Sequence, residues 1–241
     1  MTDESATGRR AHERVRLPLR VAYRSTGSFL ISYTVDLSRG GLFLETAEPR
    51  SVGSELELRL DIPGVGEEIR LQGVVVWIQR EPAPGKPMGM GIQFQEVEAS
   101  FGNVIDQLVR HFSGLRVLVA SSAPRVRNKL VRSLKSSLAA TYTETDLAKP
   151  PPAETVAETD LAVIDLAQGD ASAQALLETV FHAAAPPAVV ALASHPRVRR
   201  WAHDLGAQEV VNSPPASSEL LTAVLRALAR PMVRDSDLED A

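Results

Sequence analysis

The sequence predicts two domains: an all-β small barrel with a C-terminal helix, then an α/β doubly wound (βα)5 domain. Three observations carry this. Apolar residues alternate with period two through most of the first hundred positions. The period turns helical in "SFGNVIDQLVRHF", and from Leu115 short apolar runs alternate with amphipathic segments. The expected boundaries are a barrel over 1–114, a second domain over 115–232 and an acidic, disordered tail over 233–241.

The barrel strands follow in order. "VRLPLRVAY" sets Val15, Leu17, Leu19, Val21 and Tyr23 at strict alternation. "FLISYTVDL" is expected as a second strand after a Ser-Thr-Gly turn, then "GLFLET" and "SELELRLDI". "PGVG" supplies a turn into "EEIRLQGVVVWIQRE", and "MGMGIQFQEV" closes the set. Six antiparallel strands suit a small barrel, which removes sheet edges. Phe101, Val104, Ile105, Leu108 and Phe112 then form one helical stripe facing the barrel, ended by Ser113 and Gly114.

In the second half "LRVLVAS", "LAATYTET", "DLAVIDL", "AVVALAS" and "EVVNS" read as strands. Helices are expected in "PRVRNKLVRSLKSS", "SAQALLETVFHAA", "PRVRRWAHDLG" and "SSELLTAVLRALA". The prolines of "LAKPPPAETVAET" forbid a regular helix through its centre.

Composition narrows the function. Hydrophobic residues are 44% and charged residues 23%, ordinary for a globular protein. With no cysteine, thiol catalysis and thiolate metal sites are excluded. No apolar run is long enough for a membrane span, and "MTDESATGRR" lacks a signal segment, so a cytoplasmic protein is expected. Formal charge −4 argues against general nucleic-acid binding. Yet between Arg9 and Arg24 stand six arginines and one acid, Glu13. An isolated cluster of this kind is usually a solvated arm.

Its context is more specific. Arg10 and Arg14 form R-x-x-x-R before the first strand, and "DLSRGG" supplies Asp36, Ser38, Gly40 and Gly41 before "LFLET". Guanidinium groups pair with phosphate oxygens or a guanine edge and stack on bases. A carboxylate accepts from guanine N–H groups, a serine hydroxyl donates to phosphate, and paired glycines allow close backbone approach.

"RRAHERVRLP", "DLSRGGLFLET", "VVVWI" and "GMGIQF" together resemble a PilZ domain, a small barrel that binds the bacterial second messenger cyclic di-GMP. The resemblance assigns ligand contacts to Arg10, Arg14, Asp36, Ser38 and Gly41, with Gly40 in the turn. Arg9 resembles the residue of members that bind a stacked pair of cyclic di-GMP molecules. Trp77, in the long strand, is expected in the core.

"LRVLVASSAP", "DLAVIDL" and "EVVNSPP" resemble strand ends of a response-regulator receiver domain. The resemblance puts Asp165 at the phospho-acceptor position. Ser121 and Ser122 stand where receivers carry the Mg²⁺-binding acids, Ala193 at the switch Ser/Thr, and Ser213 at the lysine. Serines lack the anionic oxygens that Mg²⁺ needs, so Asp165 is vestigial and the domain a pseudo-receiver.

Arg125, Arg127, Lys129 and Arg132, and Arg197, Arg199 and Arg200, read as solvated faces or partner docking rather than nucleic-acid contacts, with Trp201 beside the second set hinting at an interface. The expected function is a non-enzymatic cyclic di-GMP receptor in bacterial signalling, without a cofactor, acting on an unidentified protein partner. The alternatives are a PilZ-like scaffold for motility or polarity that does not use the ligand, and a phosphorylated regulator, which the serines disfavour.

Overall fold

The computed structural model describes residues 17–35, 40–66, 68–82, 87–96, 99–166, 171–183 and 185–234. The first half holds β1 (Leu17–Ala22), α1 (Thr26–Val35), β2 (Gly41–Glu45), β3 (Glu55–Asp61), β4 (Ile69–Gln79), β5 (Gly89–Glu96) and α2 (Ala99–His111). Alternation buries Leu42 and Leu44 of β2 and Leu56, Leu58 and Leu60 of β3 on one side of the sheet. Phe101, Ile105 and Leu108 of α2 close that core.

"FLISYTVDL" is not a strand but most of α1. Its β-branched and aromatic residues suit a sheet, but β-propensity differences span only about 1 kcal/mol. Helical winding turns Phe29 and Tyr33 onto the sheet core and Ile31 onto the core of the second domain. Burying a side chain such as Phe29 is worth about 1.5–3 kcal/mol. The "Ser-Thr-Gly turn" is the helix start: the Ser25 hydroxyl accepts from the Ser28 amide at 3.1 Å, an N-cap. Tyr23 and Phe101 meet Phe29 edge to face, with centroids 5.0 and 6.3 Å away.

The sheet therefore differs from six antiparallel strands. Its order is β11, β1, β3, β4, β5, β2, with β1 parallel to β3, and its two end strands are not hydrogen-bonded to each other. It is a half-barrel, and β11 (Met232–Arg234) comes from the far end of the chain, antiparallel to β1. Part of the expected disordered tail is thus sheet; the remainder, 235–241, lies outside the described residues.

The second half runs β6 (Leu115–Ala120), α3 (Pro124–Lys135), β7 (Ala140–Thr145), α4 (Ala153–Ala157), β8 (Leu161–Asp165), α5 (Ala171–Phe181), β9 (Ala188–Leu192), α6 (Pro196–Asp204), β10 (Glu209–Val211) and α7 (Ser217–Ala229). The short α4 starts directly after Pro152, past the proline run. All five strands are parallel, in the order β10, β9, β8, β6, β7. β8 and β9 are buried along their whole length, as strands covered by helices on both faces require. Separate clusters fill the two faces of this sheet.

The two halves pack against each other. Phe112, expected on the barrel side, lies beyond α2 and packs with Ile31 against the second domain. α1 lies along α7, whose last carbonyls have no partner within the helix. Ser28 Oγ donates to the Leu228 carbonyl at 2.6 Å, and Arg24 Nη1 to the Arg230 carbonyl at 2.9 Å. Arg230 in turn donates to Glu209 Oε1 at 2.7 Å and lies 3.5 Å from Glu45. Burial pushes the Arg24 guanidinium down to about 10, with Glu45 opposing and Arg230 adding to the shift. It also pushes the Glu209 carboxyl up, against the pull of Arg230.

Ser28→Ala should cost about 1–3 kcal/mol in urea denaturation, because it leaves a buried carbonyl unpaired. Wild-type protein should unfold in one transition, with Trp77 and Trp201 fluorescence changing together. Separate transitions for the two tryptophans would contradict the joint packing of the halves.

Candidate functional site

Of the residues assigned to ligand, Arg9, Arg10, Arg14, Asp36 and Ser38 lie outside the described residues; Gly40 and Gly41 lie within them. Gly40 takes φ of 84°, and its carbonyl accepts from the Phe94 amide at 2.7 Å. Gly41 opens β2, where a Cβ would strike the Ile92 carbonyl. The D-x-S-x-x-G segment follows α1, not a second strand, since the helix ends at Val35 and β2 starts at Gly41.

The register relates the two motifs. Gly41 pairs with Gln93, Gln93 with Val74 and Val74 with Glu55, while Leu17 pairs with Leu56. The row that starts at the first residue of β2 therefore ends at Glu55, one residue from the partner of Leu17 at the start of β1. Past that row β2, β4 and β5 continue, forming an overhang beyond the starts of β1 and β3.

On the outer face of the overhang Phe43 and Trp77 both pair with Gly91. Trp77 is not a core residue. A register shift between Val75 and Trp77 turns Val76 and Trp77 outward, and Trp77 is 48% exposed. Its ring stacks on Phe43, centroids 5.2 Å apart and planes 12° from parallel. The glycines of "GMGIQF" make room for this: a Cβ on Gly91 would collide with the indole, and one on Gly89 would meet the Phe43 ring at 2.7 Å. Alternation hid this pair, since a bulge is invisible to a period-two reading.

In the second domain the structure brings together several of the positions singled out around Asp165. Asp165, at the end of β8, is buried; Ser121 Oγ donates to its Oδ2 at 2.9 Å and Ser213 Oγ to its Oδ1 at 3.0 Å. Ala193 is buried and Ser122 half-buried beside them. One carboxylate with hydroxyl neighbours does not fit Mg²⁺, which favours several anionic oxygens, and no acid cluster able to hold a metal occurs among the described residues. Two arginines of the basic helices serve the framework. Arg127 donates to the Ser121 carbonyl at 2.7 Å, and Arg199 to the Ala193 and Val210 carbonyls at 2.9 and 2.8 Å. Trp201 packs against the core beneath α6.

Asp165→Ala should destabilise the protein by about 1–3 kcal/mol in thermal or urea unfolding, since it removes the charged acceptor of two hydroxyl donors. Acetyl phosphate with Mg²⁺ should leave the intact mass of wild-type protein unchanged; a phosphoryl adduct on Asp165 would contradict the hydroxyl clamp.

Residues 8–111 match the PilZ domain family. Curated proteins give no match. Among solved structures, a candidate pilus assembly-related protein of Burkholderia pseudomallei K96243 is 20% identical, with TM-score 0.43, over 49% of this chain and 93% of its own. A response regulator CheY-like protein of Mesorhizobium loti is 22% identical, with TM-score 0.38, over 48% and 99%. A signal receiver domain of Clostridium thermocellum is 13% identical, with TM-score 0.39, over 48% and 98%. The strand order of the second sheet is itself the doubly wound order 2-1-3-4-5 for which CheY is a standard example. Residues 8–111 thus match the PilZ domain family, and an α/β domain with the doubly wound strand order follows them.

Proposed function

We propose that this protein is a cyclic di-GMP receptor with no catalytic activity of its own, acting in the cytoplasm on a protein partner through its pseudo-receiver domain. The observation that carries the reading is the PilZ match, whose span includes both R-x-x-x-R and D-x-S-x-x-G. Arg10 and Arg14 pair with phosphate oxygens and guanine, Asp36 accepts from guanine N–H groups, and Ser38, Gly40 and Gly41 shape the turn. Arg9 adds a guanidinium beyond the needs of one two-phosphate ligand, so a stacked pair occupies the site.

The route to the second domain is short. Asp36 and Ser38 lie in the chain between α1 and β2, and the first turn of α1 caps α7 through Ser28. Ligand bound at Asp36 and Ser38 therefore acts one residue beyond the end of the helix that touches both cores. The output is a change in the surface that the receiver-like domain shows to its partner.

Calorimetric titration should show binding in the micromolar range or tighter, with two cyclic di-GMP per protomer. Arg14→Ala should weaken binding by roughly 1–3 kcal/mol with the fold intact, and Arg9→Leu should reduce the count to one. If Arg14→Ala and Asp36→Ala both titrate like wild type, the site assignment is wrong. A flat wild-type titration would favour the scaffold that does not use the ligand.

A further inference from the structure

We infer that the cleft between α3 and the start of α7 is a docking surface for an acidic segment of a partner protein that carries one or two apolar side chains. The inference rests on the partner reading above, which it deepens by naming the surface and its chemistry, and it makes no use of cyclic di-GMP.

The first observation is charge. The twelve residues of α3 include Arg125, Arg127, Lys129, Arg132 and Lys135 and no acid, on a chain of formal charge −4. Arg127 is engaged with the Ser121 carbonyl, and Lys135 lies over the Tyr142 ring, 5.5 Å from its centroid. Arg125, Lys129 and Arg132 follow at steps of four and three, so they form one stripe along the helix. All three are exposed, and none has an ion pair or side-chain hydrogen bond among the described residues. By contrast Arg20, Arg59 and Arg70 of the first sheet have glutamates at 3.7, 3.1 and 3.4 Å. Arg125 also stands in the first turn of α3, where the helix dipole opposes a cation and Ala123 offers no side-chain cap. It works against the local preference, as residues at functional sites do.

The second observation is shape. Beside the stripe a cleft of about 230 Å³ lies between α3 and α7. Val126, Leu130, Leu220 and the Pro214–Pro215 pair give it apolar walls, Arg125 and Lys129 give it charge, and no carboxylate lines it. Small-molecule sites run to roughly 300–1,000 Å³, so this cleft has room for a side chain or two rather than a whole ligand. An apolar side chain seated in such a pocket is how protein partners anchor.

Together the two select the occupant. Exposed ion pairs alone contribute too little to hold a partner, so carboxylates steer the segment and its apolar side chain retains it. Single-stranded nucleic acid favours rings on which bases stack, and no aromatic residue lines the cleft. A membrane favours apolar side chains free to insert beside the cations, and Leu130, Val131 and Leu134 of α3 are buried in the second domain.

The test uses full-length protein without cyclic di-GMP, titrated into a fluorescein-labelled helical peptide of about sixteen residues and read by anisotropy. The peptide is built of Glu and Ala, with two Leu one helical turn apart. Arg125→Glu/Lys129→Glu should weaken its binding about tenfold or more, with an unchanged melting curve. The same reversal on the opposite face of the sheet, Arg197→Glu/Arg200→Glu on α6, should change it less than about twofold. A peptide with both Leu replaced by Ser should bind about tenfold more weakly. No wild-type binding, no loss in Arg125→Glu/Lys129→Glu, equal losses in the two double variants, or equal binding of the Leu and Ser peptides would each overturn the docking cleft and leave the cyclic di-GMP reading standing. Tighter binding of a single-stranded DNA oligonucleotide or of phosphatidylglycerol vesicles through Arg125 and Lys129 would also overturn it, in favour of a general polyanion surface. A flat cyclic di-GMP titration beside intact peptide binding would overturn the receptor reading and leave the cleft.

Discussion

The capping of α7 by the first domain is the constraint around which the rest of the molecule is arranged. A helix ending inside a protein leaves carbonyls that must be paired or pay the full cost of desolvation. Here the Leu228 and Arg230 carbonyls are met by Ser28 and Arg24, from the segment just after β1. That requirement brings α1 against α7, places Ile31 in the second core and returns the chain end to the first sheet as β11. The two domains are distinct in topology but not in packing.

The same junction is electrostatically costly. Arg24 is largely withdrawn from water, its Nε has no partner among the described residues, and its guanidinium holds its proton less tightly than usual. Arg230 draws Glu209 and Glu45 around the same point. Removing Arg230 is more damaging than its net contribution suggests, because Glu209 stays buried without its counter-charge. The junction is therefore specific: it tolerates one arrangement of the two halves.

Asp165 shows how one buried carboxylate can brace several strand ends. The hydroxyls of Ser121 and Ser213 each donate to one oxygen of the carboxylate, which ties the ends of neighbouring strands together. Arg127 and Arg199 add to the bracing by pairing with carbonyls at those same ends. Charges that resembled a partner surface in the sequence are in part internal supports.

The sequence by itself determined the two-domain order, β3, β4 and β5, the parallel second sheet and the serine substitutions around Asp165. Each of these depends on local period or on residue chemistry, which neighbours in the chain reveal. Tertiary structure decided the rest. "FLISYTVDL" became α1 because two apolar surfaces, far apart in sequence, had to be covered at once, and Ser25 supplied a cap that resembles an ordinary turn. Met232–Arg234 became a strand because the edge of β1 was open to it. Trp77 left the core because one extra residue in β4 reverses which side faces water, and Gly91 left room for its ring. Period two carries no record of such a bulge until the partner strand is known.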